Sequence, residues 1–128
     1  MTHARQYPET KLKVAILAYL KTQRDVWAER RNAGRRPWTH KGATGALTLG
    51  EPGTPDITGY MHHSSSADRT DGVAVPFGIE VKRKGARLNE NQERWHQRAK
   101  FFGIPVCVAR SVSDAKAFIE AVRKGDWE

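Results

Sequence analysis

Phe77-Gly78-Ile79-Glu80-Val81-Lys82 is the stretch on which the fold turns. Side chains alternate across a strand, so Phe77, Ile79 and Val81 share one face while Glu80 and Lys82 share the other. One face packs, and the other presents a carboxylate and an ammonium two residues apart. Working outward, residues 73–83 read as the whole strand and 56–62 as its partner. Between them lies a polar stretch ending in the turn signal Asp71-Gly72, so the two strands are expected to form a hairpin. Pro76 lacks an amide donor and relegates the start of the second strand to an edge or a bulge. Gly53-Thr54-Pro55-Asp56 leads into the first strand: proline fixes the approach and aspartate opens the strand.

The flanks complete the pattern. Residues 8–23 predict a helix, with Pro8 suited to its first position and Leu12, Ala15, Ile16, Tyr19 and Leu20 forming one apolar stripe. Residues 26–31 predict a short strand that ends at Asn32-Ala33-Gly34. Residues 33–54 read as a long glycine-punctuated loop holding Trp38, His40 and Lys41, with a short strand inside it at 46–49. Loops of that length are usually functional or disordered. A helix follows Leu88: Asn89 and Gln92 make a capping-box pair, Trp95, Ala99 and Phe102 form its buried stripe, and Gly103 and Pro105 stop it. Residues 105–110 predict an apolar strand carrying Cys107 into the core. Ser111 or Ser113 caps a last helix that turns Val112, Ala115, Phe118, Ile119 and Val122 inward and stops at Gly125. The order is helix, strand, strand, strand, helix, strand, helix, a mixed α/β layer structure.

At 128 residues the chain suits one domain spanning 1–128. No apolar run approaches the ~18 residues of a membrane span, and no apolar leader follows Met1. A single cysteine excludes a disulfide framework and a cysteine-based zinc site. These features predict a soluble, cytoplasmic protein with no membrane partner. Twenty-two Lys and Arg against fourteen Asp and Glu leave +8, which favours an anionic partner, nucleic acid first. The excess is clustered. Residues 21–41, with Arg30, Arg31, Arg35, Arg36 and Lys41, carry a net +5, and so do residues 82–100, with Arg83, Lys84 and Arg87. Two such clusters suit one groove that tracks a phosphate backbone; the bland alternative is a pair of solvated faces.

Suppose the hairpin brings Asp56 beside Glu80. Two carboxylates on neighbouring strands repel unless a cation lies between them, and a hard ion such as Mg²⁺ or Mn²⁺ suits the pair. Such an ion polarises a phosphate and acidifies a bound water. Lys82 stands next to that centre, placed to orient the water and offset charge on phosphorus. Glu9 and Gln92 fall on the apolar stripes of their helices, where a polar side chain needs a partner. Glu9 is a candidate outer or second-metal ligand or simply a favourable acid in a first helical turn. Gln92 is a candidate donor facing the site or simply half of the capping box.

Gly53-Thr54-Pro55-Asp56-Ile57, Ile79-Glu80-Val81-Lys82, the run from Leu88 to Gln92, and the closing segments 103–109 and 111–115 resemble the virus-type replication-repair nucleases, the VRR-NUC family. That family is a branch of the PD-(D/E)xK phosphodiesterases. The resemblance implies a restriction-endonuclease-like core with a mixed central sheet flanked by helices. It implies Asp56 and Glu80 as metal ligands with the Val81 carbonyl as a further one, Lys82 as the catalytic lysine, Gln92 as the glutamine beside the site, and Glu9, less distinctively, as the helix acid. Small stand-alone members, often phage-encoded and so working in the host cytoplasm, look like homodimers that cut branched DNA such as four-way junctions. The expectation is a Mg²⁺- or Mn²⁺-dependent endodeoxyribonuclease of DNA replication, repair or recombination. The alternative is a non-catalytic DNA-binding module on the same fold. Arg35, Arg36, Trp38, His40 and Lys41, in the segment that departs from the family pattern, are candidates to grip phosphate or stack on an unpaired base.

Overall fold

The structure, a computed structural model, describes residues 8–31, 34–40, 43–49, 52–63 and 72–127. Its elements are α1 (Pro8–Lys21), β1 (Val26–Arg30), β2 (Gly34–His40), β3 (Ala43–Leu49), β4 (Ile57–His63), β5 (Val73–Val81), α2 (Glu90–Phe101), β6 (Val106–Ala109) and α3 (Val112–Lys124). The alternation at the end of β5 is realised: Phe77, Ile79 and Val81 are buried in the main hydrophobic cluster. β4 and β5 form the expected antiparallel hairpin, with Ile57 opposite Ile79 and His63 opposite Val73. β1 pairs antiparallel to the outer side of β4, and β6 pairs parallel to β5. The sheet order is therefore β1-β4-β5-β6. Pro76 pairs with Tyr60 on β4, whereas β6 runs alongside β5 only from Gly78 onward. The proline thus sits where β5 is still an edge, which is where its missing amide costs nothing.

Segment 33–54 corrects the sequence reading. It is no long loop: β2 and β3 pair antiparallel over their full lengths, Gly34 opposite Leu49 and His40 opposite Ala43, as a separate two-stranded sheet. The physical signal was present. Trp38, Thr39, Thr44, Leu47, Thr48 and Leu49 favour strands, and the two-residue interval Lys41-Gly42 is the spacing of a hairpin connection. The glycines masked it.

Helices α1 and α3 cover one face of the main sheet. Ile16 and Leu20 of α1 and Ile119 and Val122 of α3 are wholly buried with Ile57, Met61 and Ile79. Ala15, expected on the α1 stripe, is exposed. Cys107 packs against this core as expected, and burial, then Asp114, pushes its thiol up to about 12. α2 lies on the opposite face. Its stripe is rotated from the reading above: His96 and Ala99 are buried, Trp95 is half-buried, and Phe102 is 69% exposed. The helix stops at Phe101, and the amides of Phe102 and Gly103 close its last turn on the Arg98 and Lys100 carbonyls respectively. The Asn89–Gln92 capping box forms as read, Ser111 rather than Ser113 caps α3, and Gly125 ends α3 in a left-handed conformation.

Arg123 on α3 fastens the two ends of the fold. Its guanidinium makes 2.9 Å bonds to both carboxylate oxygens of Asp25 and a 2.7 Å bond to the Gln23 side chain, and it pairs with Glu120. Those partners, the Asp25 hydrogen bond foremost, raise its pKa further above the ordinary arginine range. Among the described residues no helix is long and apolar enough to cross a membrane.

Candidate active site

The β4–β5 register, continued one step past Ile57 and Ile79, sets Asp56 across from Glu80. One main-chain bond and one bond from a main-chain amide to a side chain fix the row: Arg31 N donates to the Asp56 carbonyl at 2.7 Å, and Asp56 N donates to Glu80 Oε2 at 3.2 Å. Arg31, Asp56 and Glu80 thus form one cross-strand row at the end of the sheet. The remaining oxygens are held as well. Asp56 Oδ2 accepts from Val81 N at 2.8 Å, and its Oδ1 lies 3.1 Å from Lys13 Nζ. Glu80 Oε1 accepts from Gln92 Nε2 at 2.5 Å. The expected pairing of the two carboxylates is present, and the Pro-Asp turn and the Glu-x-Lys strand are its two halves.

The electrostatics follow from burial. Glu80 is only 3% exposed, and its carboxyl is raised to about 7. Burial is the larger cause and the neighbouring Asp56 charge the second; the Asp56 amide, Lys82 and Lys13 pull the other way. Lys82 follows Val81 at the strand end, half-exposed, with its amide on the Ala109 carbonyl at 3.1 Å. Val81 enters the site through its amide as described above.

Gln92 resolves the two readings of its stripe position by satisfying both. Its Oε1 accepts from Asn89 N at 2.9 Å, closing the capping box, while its Nε2 serves Glu80. Glu9 reaches the same end of the sheet but binds Arg83, whose amide donates to Glu9 Oε2 at 3.4 Å. Lys13 is the residue sequence reasoning missed. It lies four residues after Glu9 and therefore on the same helix face, but its approach to Asp56 depends on how α1 meets the sheet end.

The basic residues divide. Arg30, Arg31, Arg83, Lys84 and Arg87 are all exposed. Arg31 shares the sheet face of the carboxylate pair, with its Nε on Thr58 Oγ1 at 2.7 Å, while Arg30 alternates with it onto the other face. Arg35 and Arg36 fall on β2, with side chains outside the described set, and Lys41 lies outside the described residues. Among the described residues no group of three or more His, Cys, Asp or Glu side chains gathers as a metal cluster.

No curated protein matches the sequence. A solved structure described as a VRR_NUC domain superposes with a TM-score of 0.56 at 18% identity, covering 88% of this chain and 95% of the other, so the two share a fold. The family model of the VRR-NUC domain matches residues 8–113, a span that contains Glu9, Lys13, Asp56, Glu80, Lys82 and Gln92. On that match, this chain belongs to the VRR-NUC domain family of nucleases.

Proposed function

We propose that this protein is a divalent-metal-dependent DNA endonuclease that hydrolyses phosphodiester bonds, is selective for branched DNA, and works as a homodimer. One observation carries the catalytic part: two carboxylates from facing strands, Asp56 and Glu80, are held side by side at a sheet end, each accepting hydrogen bonds from neighbouring groups of the chain.

The donor set fits a hard cation. Carboxylate oxygens are the ligands Mg²⁺ and Mn²⁺ prefer, and Mg²⁺ commonly takes one or two of them and keeps several waters. The raised pKa of Glu80 is the cost of placing it beside Asp56 in a buried spot, and a bound cation relieves it. Asp56 and Glu80 would hold the ion, with the Val81 carbonyl as the third protein ligand and Glu9 at the periphery. When bound, the ion polarises the phosphate and acidifies a water.

The side chains of the chain do the rest. Gln92 holds the Glu80 carboxylate in one orientation. Lys13 neutralises the outer oxygen of Asp56. Lys82, on the Glu80 face, orients the attacking water and offsets the charge that grows as its oxygen bonds to phosphorus and one P–O ester bond breaks. Arg31, beside Asp56, holds a phosphate oxygen at the entrance. Two copies related by a two-fold axis present two such sites to a symmetric junction.

The test is a panel of linear, flap and four-way DNAs with Mg²⁺ and with Mn²⁺. Cleavage is expected from the native protein, and a loss of about 10²-fold or more from Asp56→Ala and Lys82→Ala, which still fold and bind DNA. Cutting that survives in either variant, or in EDTA, refutes the mechanism. The Lys13–Asp56 ion pair favours a second reading, a DNA-binding module without turnover, because it already compensates one carboxylate. A native protein that binds every DNA and cuts none selects that reading.

A further inference from the structure

The carboxylate row is the last row on its sheet face. The registers set Glu29 beside Thr58 and Gly78 in the next row, and Trp27 beside Tyr60 and Pro76 in the row after. α2 covers only the β5–β6 side of this face, so the β1–β4 side is open. Trp27 is 67% exposed and Tyr60 is 47% exposed, and their rings stand 5.9 Å apart, tilted by 47°. Trp95 of α2 forms the facing wall. It lies close over Gly78, where an added Cβ would come within 3.4 Å of its ring. The result is a groove of about 330 Å³ between the aromatic pair and Trp95, with Arg31 and Thr58 at its catalytic end.

We infer that this groove takes an unpaired nucleotide of the DNA strand being cut, the base stacked on Trp27 and Tyr60 and the backbone running past Arg31 to the carboxylate pair. The inference rests on the nuclease reading and names what the same site recognises. Three features select this occupant. Aromatic faces bind bases of any sequence by stacking, and exposed aromatic rings together on an open face mark a contact surface. Arg31 supplies positive charge only at the end nearest the site. Glu29, in the middle row, keeps phosphate off the groove floor and offers an acceptor to base amino groups. The spacing also agrees. Four residues of strand separate the aromatic row from the catalytic row, ~13 Å at ~3.3 Å per residue. A stacked nucleic-acid strand advances ~3.4 Å per nucleotide, so the stacked base lies within about four nucleotides of the cut. A groove of this volume admits a base and excludes a duplex.

The test uses the full chain in EDTA, where no cutting occurs, with fluorescence anisotropy of a labelled single-stranded 15-mer and of a blunt duplex of the same sequence. The double variant Trp27→Ala/Tyr60→Ala is expected to weaken single-strand binding by about tenfold or more and duplex binding by less than twofold. Trp27→Phe/Tyr60→Phe, which keeps two aromatic faces, is expected to restore most of the loss. Circular dichroism checks that both variants fold. Single-strand affinity unchanged in the alanine variant, or an equal loss for both DNAs, overturns the inference. So does a native dimer that the alanine variant splits without altering DNA affinity, because the face then belongs to a second copy. If the native protein also cuts DNA with Mn²⁺, the nuclease reading survives that failure; a native protein that neither binds nor cuts DNA removes both.

Discussion

Gln92 carries two hydrogen bonds that belong to different levels of the structure, one closing the first turn of α2 and one fixing Glu80. Gln92→Ala is therefore expected to cost about 1–2 kcal/mol, half a capping box plus a buried acceptor left without its donor. Thermal melts read this as a lower Tm, and an unchanged Tm would show that neither bond contributes. The placement of Asp56 and Glu80 at one sheet end was legible because strand alternation and hairpin pairing are local rules. Lys13 was not, because its meeting with Asp56 depends on how α1 crosses the end of the sheet, which no local pattern encodes. His96 was equally hidden: a stripe drawn through Trp95, Ala99 and Phe102 placed it outside, yet it is buried and its Nε2 has no partner among the described residues. Burial, then the Lys100 charge, lowers its pKa below 6.5. As pH falls from 6.5, the unfolded chain takes up a proton that the folded chain resists, so stability present above that pH is lost on acidification. His96→Leu is expected to reduce this loss, measured as a smaller difference between Tm at pH 8 and at pH 5.

The loop that delivers Asp56 is built against a helix. Gly53 has φ of +89°, and a Cβ there would lie 2.2 Å from the Asn91 carbonyl oxygen in the first turn of α2. Glycine lets the loop seat on the same turn that carries Gln92, so the two arms holding the carboxylate pair share one support. Gly53→Ala introduces both a strained φ and a backbone clash. It is expected to destabilise by about 2–3 kcal/mol and to lower cleavage further than its Tm loss explains, because Asp56 moves with the loop. Cleavage and melting measured on the same sample check this. At this scale the strands and helices of the main sheet were readable from period and caps. The β2–β3 hairpin was not, because its glycines at 34, 42, 45 and 50 resembled loop punctuation while its pairing partner lay within the same segment.

Charge acts on the molecule as a whole. Arg31 of the first basic cluster lies on the carboxylate face, and Arg83 of the second has its amide on Glu9. Binding to duplex DNA is expected to weaken at least tenfold between 50 and 200 mM salt, and Lys84→Ala/Arg87→Ala to flatten that dependence. A salt-independent affinity would detach the +8 from DNA. Net charge was legible in composition, but which arginines share the carboxylate face was not, since that needs the strand phase of β1. The Arg123–Asp25 clasp and the burial of Ile119 and Val122 bear on where this protein ends as a folding unit. The family match stops at residue 113, one residue into the body of α3. A protein trimmed to that boundary keeps every residue of the carboxylate site, yet it bares Ile16, Leu20 and Met61 and leaves Asp25 without its guanidinium. Ile119 and Val122 alone represent roughly 3–6 kcal/mol of burial, against a total stability of ~5–15 kcal/mol. The segment that the family model matches is thus shorter than the packed unit it belongs to: the match draws one boundary and burial another, eleven residues of helix apart.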